Sequence, residues 1–164
     1  MPPPISGCFT SRTLTSARGV VCLSVDIIRR MAQWLVKEEP EHYGYAQFER
    51  EGKTVWAGVR NPLAQKHLRA IRKGDQVFYY HTGKEKAVVG VATAVSDAYA
   101  DPSDASGKLY VVDIAPARRL LKQVTLAAIK AQPAFRSFPL VRMSRLSVMP
   151  VTDAEWKRIE DMST

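Results

Sequence analysis

Residues 56–82 read WAGVRNPLAQKHLRAIRKGDQVFYYHT, and the fold is decided in this stretch. Asn61-Pro62 is a strong helix start, because Asn accepts from free N–H groups and Pro at the first position has none to waste. Leu63, Ala64, Leu68 and Ile71 then recur at helical spacing, which predicts that this face packs inward. Lys66, Arg69 and Lys73 stand at i, i+3 and i+7 and form a basic stripe. Lys73-Gly74-Asp75 makes the turn, and residues 76–81 alternate as a strand, so Tyr80 faces opposite to Tyr79 and His81. A short capped helix is thus inserted between two strands.

The same punctuation extends outward. Residues 33–38 predict a first strand with Trp34 and Val36 on one face and Leu35 on the other, stopped by Glu38-Glu39-Pro40. Residues 45–51 predict a helix carrying Phe48 and ended by Gly52, and 54–56 a brief strand. Beyond the central stretch, 87–97 predicts the second arm of a hairpin turned by TGKEK. A loop over 101–107 and a strand over 109–115 follow. Thr125 caps a helix through 131, 145–148 reads as a closing strand, and Thr152 with Glu155 makes a capping box for a last helix carrying Trp156 and Ile159. The pattern predicts an α+β domain: a partly closed β-barrel with short helices inserted between the strands.

A chain of 164 residues with 46% hydrophobic residues suits one globular domain. No apolar run reaches the roughly 20 residues that a membrane helix needs, so no membrane partner is expected. The net charge of +8 favours an anionic partner such as nucleic acid. It is unevenly spread: Arg12, Arg18, Arg29 and Arg30 face only Asp26 in residues 1–30, leaving 20 Lys and Arg against 15 acids in residues 31–164. Cys8 and Cys22, the only cysteines, also lie in that first segment. Their absence from Met31 onward is what a reducing compartment allows, and the expected location is cytoplasmic. An organellar one follows if residues 1–30 act as a transit peptide. The preferred division makes 1–30 an extension, disordered or upstream of the working start, and 31–164 the domain, although VVCLSVDII could pair as a strand. Deleting residues 1–30 is then expected to leave melting nearly unchanged.

No nucleophile elbow, P-loop, dinucleotide fingerprint or zinc-protease motif appears, and His42, His67 and His81 lack ligand spacing. No cofactor and no metal are expected. Asp97, Asp101 and Asp104 read as a solvated loop before a cation site. Glu38 and Glu39, adjacent on a strand, point to opposite faces and cannot act as a paired acid and base. Binding features remain. Lys66, Arg69 and Lys73 are phosphate-contact candidates, although a solvated face explains the stripe equally well. The segment FRSFPLVRMSRLSV interleaves Arg136, Arg142 and Arg145 with Phe135 and Phe138, a mixture suited to bases on rings and phosphates on guanidinium groups. Trp56 could simply fill the core, but its place just before a glycine turn and an Arg-Asn pair favours it as one wall of a pocket for a flat heteroaromatic ring, with Arg60 or Asn61 addressing the base edge or a phosphate.

KEEPEHYGY, WAGVRN, GDQVFYYHT and RMSRLSVMPVTDAEW, in that order from Met31 to the C-terminus, resemble the successive signatures of the EVE domain, a PUA-like β-barrel family. The resemblance implies a small stand-alone domain, expected to be a monomer, that binds nucleic acid without turnover. It implies a cleft for a modified base, such as a 5-substituted cytosine in DNA or RNA, taken out of the stack. Carried over position by position, that cleft draws on Lys37, Glu38 and Pro40, on Trp56, Val59, Arg60 and Asn61, on Tyr80, His81 and Thr82, and on Arg142, Arg145, Leu146 and Ser147. Three positions depart from the family pattern, which often has Ser at Glu38, Asp at Ala57 and Gln at Met143, and this alters the hydrogen bonds open to a base. The alternatives are an enzyme, or enzyme subunit, acting on a modified nucleotide with Glu38 or His81 as acid or base, and a protein-interaction module.

Overall fold

A computed structural model describes residues 30–164; the VVCLSVDII segment and most of the 1–30 extension lie outside them. Strands β1 (Gln33–Glu38), β2 (Thr54–Trp56), β3 (Gln76–His81), β4 (Ala87–Ala94), β5 (Tyr99–Ala100), β6 (Tyr110–Thr125) and β7 (Val148–Pro150) form one mixed sheet. Its order is β2-β6-β4-β3-β1-β7, with β5 on β6. Only β1 and β3 run parallel. Helices α1 (Pro40–Tyr43), α2 (Tyr45–Glu51), α3 (Pro62–Ala70), α4 (Leu126–Ala131), α5 (Pro139–Arg142) and α6 (Asp153–Met162) fill the connections. The sheet curls into a half-barrel because its central pairings slip, between Tyr79 and Tyr80 against β4 and twice between β4 and β6. Each extra residue bends and twists the strand that carries it.

Phe78 and Tyr79, successive on β3, point to opposite faces, and both faces are packed. On one, Tyr79 meets the rings of Tyr45, Phe48 and Trp56 at 5.3, 5.4 and 5.6 Å. On the other, Phe78 stacks on Trp156 of α6 at 3.6 Å. Tyr79 and His81 are buried on one side of the strand, and Tyr80, although buried too, still lines a pocket on the other. Gly90 of β4 lies under the Tyr45 ring, where a Cβ would come within 2.4 Å of it. The Tyr45 hydroxyl is 2.8 Å from both the Val91 and the Arg118 carbonyls, so its single proton is shared between β4 and β6.

The local start signals hold. Asn61 Oδ1 accepts from the N–H groups of Leu63 and Ala64, Thr125 caps α4, and Thr152 with Glu155 forms the reciprocal capping box of α6. Gly52 (φ 73°) closes α2. Four details differ. Leu63 is 38% exposed, and Gln65 is buried in its stead. The Gln65 amide bonds the carbonyls of Val59 and Tyr110 and the N–H of Tyr110, tying α3 to β6. β6 runs sixteen residues, far past the expected 109–115, because it continues through Pro116 by register slips. The closing strand is Val148–Pro150, an edge strand in which a proline removes no needed donor. Two short helices, starting at Pro40 and Pro139, have no counterpart in the sequence reading; both put proline in the first turn.

Asp75 anchors the entry to β1. Its buried carboxylate accepts from the N–H groups of Ala32 and Arg72 and from the Trp34 indole at 2.9–3.1 Å, replacing lost hydration with three donors.

Candidate functional site

Register along the parallel pair sorts the expected site residues onto two faces. Lys37 lies beside Tyr80, and Glu38 beside His81. Paired residues share a face and successive residues alternate, so the first couple points one way and the second the other.

The Lys37–Tyr80 face holds a pocket of about 280 Å³, lined by Lys37, Tyr80, Thr82, Lys86, Lys130 and Leu140 among others. Lys37 is fastened at both ends to the loop before β7. Its N–H donates to the Ser147 carbonyl at 2.9 Å, and its Nζ donates to the Ser144 carbonyl at 3.0 Å. The Nζ also lies 5.8 Å from the centroid of the Tyr80 ring. Burial pulls the Lys37 ammonium below its usual pKa and pushes the Tyr80 hydroxyl up to about 12. Thr82 closes the rim, its N–H donating to the Glu38 carbonyl at 2.9 Å. Lys86 and Lys130 add two exposed ammonium groups, and no carboxylate lines this pocket. An aromatic wall with three cations suits a flat, polar ring that carries or adjoins negative charge.

The Glu38–His81 face is organised differently. Glu38 Oε1 accepts from the N–H of Glu39 at 2.9 Å. His81 Nε2 accepts from the N–H of Tyr45 at 3.1 Å, and Nδ1 lies 2.6 Å from Glu85 Oε2. A backbone N–H can only donate, so Nε2 must present its lone pair and the ring proton sits on Nδ1, toward Glu85. Both nitrogens are thereby committed. Pro40 and His81 line a separate depression of about 330 Å³, with Glu85 and Arg119.

The WAGVRN segment divides again. Trp56, at 5% exposure, is edge-on to Tyr79 in the core, and Val59 is buried too. Trp56 thus presents no open ring face, because the curl of the sheet turns β2 inward over Tyr79. Asn61 is spent on the helix cap. Arg60, Lys66 and Arg69 line a groove of about 660 Å³ with Lys108. Lys73 is not among the residues of that groove; its N–H donates to Asp97 Oδ1. Arg142 and Arg145 are exposed and Leu146 is buried.

The structure therefore brings together Lys37, Tyr80, Thr82 and the backbone of Ser147, and sets Pro40 and His81, and Arg60 with Lys66 and Arg69, in two other depressions. Reading the sequence missed Lys86, Lys130 and Lys108. Lys86 carried a usable signal, since it ends the TGKEK hairpin that leads back from Thr82. Asp101 and Asp104 cap their own loop, and three backbone N–H groups and the Ser106 hydroxyl hold the Asp104 carboxyl down at about 2. Among the described residues no cluster of His, Cys, Asp and Glu could hold a metal ion.

Comparison with known proteins gives one consistent answer. The EVE domain model matches residues 32–162. Thymocyte nuclear protein 1 of Homo sapiens is 28% identical over 76% of this chain and 71% of its own length. The NMR structure of Rpa0253 from Rhodopseudomonas palustris is 46% identical, with a TM-score of 0.78 over 81% of this chain and 93% of that one. The crystal structure of human THYN1 protein in complex with 5-methylcytosine containing DNA is 27% identical, with a TM-score of 0.72 over 80% of this chain and 97% of that one. The family model spans nearly all of the described residues, and the chain belongs to the EVE domain family.

Proposed function

We propose that this domain is a non-enzymatic reader of a modified base in DNA, a 5-substituted cytosine being the first candidate. The observation that carries the reading is the likeness, across four-fifths of the chain, to a human relative crystallised on 5-methylcytosine containing DNA. The pocket beside Lys37 and Tyr80 supports it. Its volume of about 280 Å³ falls just below the roughly 300–1,000 Å³ usual for small-ligand sites, a scale suited to a single extruded base. Base-flipping proteins need an aromatic or apolar clamp and groups that address the base edge. Tyr80, Leu140 and Val141 offer the first, and Lys37, Thr82 and the carbonyl of Ser144 the second. Binding is favoured over turnover because both ring nitrogens of His81, the histidine beside Glu38, are already committed.

The test is a pair of duplex oligonucleotides differing by one cytosine methyl group, with matched RNA as a third ligand. Wild-type protein should prefer the methylated duplex. Lys37→Met keeps the aliphatic stem and removes the charge; losing a charged hydrogen bond worth about 1.5–3 kcal/mol should lower that affinity at least tenfold. Equal affinity of wild type for both duplexes refutes the reading, and preference for the RNA moves it to another nucleic acid.

A further inference from the structure

The groove of about 660 Å³ beside α3 lies apart from the base pocket in every residue that lines it. Four cations surround it: Arg60 before the helix, Lys66 and Arg69 on the helix, and Lys108 on the approach to β6. Pro62 and Leu109 give it an apolar floor, and no carboxylate lines it. Arg69 is held ready, its guanidinium 4.5 Å from the Tyr110 ring centroid and donating to the Lys108 carbonyl. The side chains of Arg60, Lys66 and Lys108 have no acidic partner among the described residues, whose ion pairs involve Lys53, His81, Arg118 and Arg119. Lys66 and Arg69, one helical turn apart, project about 5–6 Å from each other. Four like charges gathered over an apolar floor repel one another unless an anion joins them.

We propose that this groove is a second nucleic-acid contact, which takes a segment of single-stranded phosphodiester backbone with a base laid on the Arg69 guanidinium. An acidic peptide would satisfy the cations. It would leave the apolar floor and the planar, pre-stacked guanidinium unused, whereas a nucleotide brings a ring and a phosphate together. The proposal rests on the nucleic-acid reading above but not on the modified base. Recognition is thereby divided: the pocket beside Tyr80 addresses the base edge, and this groove supplies sequence-independent affinity.

The experiment follows binding of the full chain to fluorescein-labelled oligothymidylate by anisotropy across a salt series. Poly-glutamate serves as competitor, and the methylated and unmethylated duplexes are measured in parallel. Arg60→Ala, Lys66→Ala and Lys108→Ala are combined in one variant; Arg50→Ala, Lys122→Ala and Lys157→Ala make a control of equal charge loss. With about 0.7 counterions released per single-strand phosphate, the groove variant should flatten the slope of log affinity against log salt by about two, and the control should not. The methylated-over-unmethylated preference should be the same in both. An equal slope change in the two variants, or none in the groove variant, overturns the proposal, as does stronger competition by poly-glutamate than by unlabelled oligothymidylate. A slope change in a protein without methyl preference leaves the groove standing and removes the modified-base reading alone. Melting of both variants within a few degrees of wild type confirms that the exposed substitutions leave the fold intact.

Discussion

Trp56→Ala separates the pocket wall that the sequence favours from the core role that the structure gives it, and each role has its own magnitude. At 5% exposure, edge-on to Tyr79 at 5.6 Å, Trp56 is a core residue on a strand whose sheet neighbour is β6 alone. Truncating a buried Trp costs about 3–5 kcal/mol in lost transfer energy and residual cavity, and an edge-to-face aromatic pair contributes roughly 0.5–1.5 kcal/mol beyond area. For a domain of this size each kcal/mol moves the melting temperature by about 4 °C, so a fall of roughly 12–20 °C is expected. The assay is a thermal melt by circular dichroism, followed on the same variant by affinity for the methylated duplex well below the midpoint. Affinity of the folded fraction should be close to wild type. The opposite pattern refutes the placement: melting within a few degrees of wild type, with affinity down by the 1–3 kcal/mol, about 5- to 150-fold, that a base–aromatic stack is worth.

Two further outcomes follow from the same core. Gly90→Ala drives a Cβ to 2.4 Å from a Tyr45 ring that bridges β4 and β6 by its hydroxyl, so a loss of about 3 kcal/mol, the upper part of the overpacking range, is expected in a denaturant titration. In the double variant with Tyr45→Leu the two effects should be strongly non-additive. Alkaline pH attacks the same cluster. Burial raises the hydroxyls of Tyr45 and Tyr80 to about 12 and that of Tyr79 further, while unfolded tyrosines ionise near 10. Between those values the unfolded state binds fewer protons than the folded one, so stability, full below about pH 10, falls as pH rises toward 12; melts over that range should show the loss.

What the sequence made legible was local chemistry. Asn61-Pro62, Thr125 and Thr152 with Glu155 name their helix starts because a cap and its free N–H groups lie within three residues. What it hid was set by partners far along the chain. Helical periodicity puts Leu63 inward, yet the amide of Gln65 is buried, since it satisfies β6 backbone groups that are 45 residues away. β6 outruns its pattern because slips against β4 carry it past Pro116. The site suffered most from this. Lys37, Tyr80 and Thr82 do meet, but the faces of KEEP and YYHT depend on the parallel β1–β3 register, and nothing within either motif encodes that pairing.

The same register places Glu38 and His81 together without making them an acid–base couple. Glu38 and His81 share a face and stand side by side, which in isolation looks like an acid–base couple. A general base needs a lone pair within reach of the proton it takes. The only lone pair of His81 lies on Nε2, which the Tyr45 N–H occupies, and Nδ1–H is turned to Glu85. Protonating Nε2 would set two N–H groups head to head at the start of α2. The imidazole is therefore a bracket between β3 and α2, holding in place the Tyr45 ring that packs over Gly90. Replacing it would loosen the sheet before it altered any proton transfer, whereas Lys37 and Tyr80, across the strand, can change what the pocket accepts.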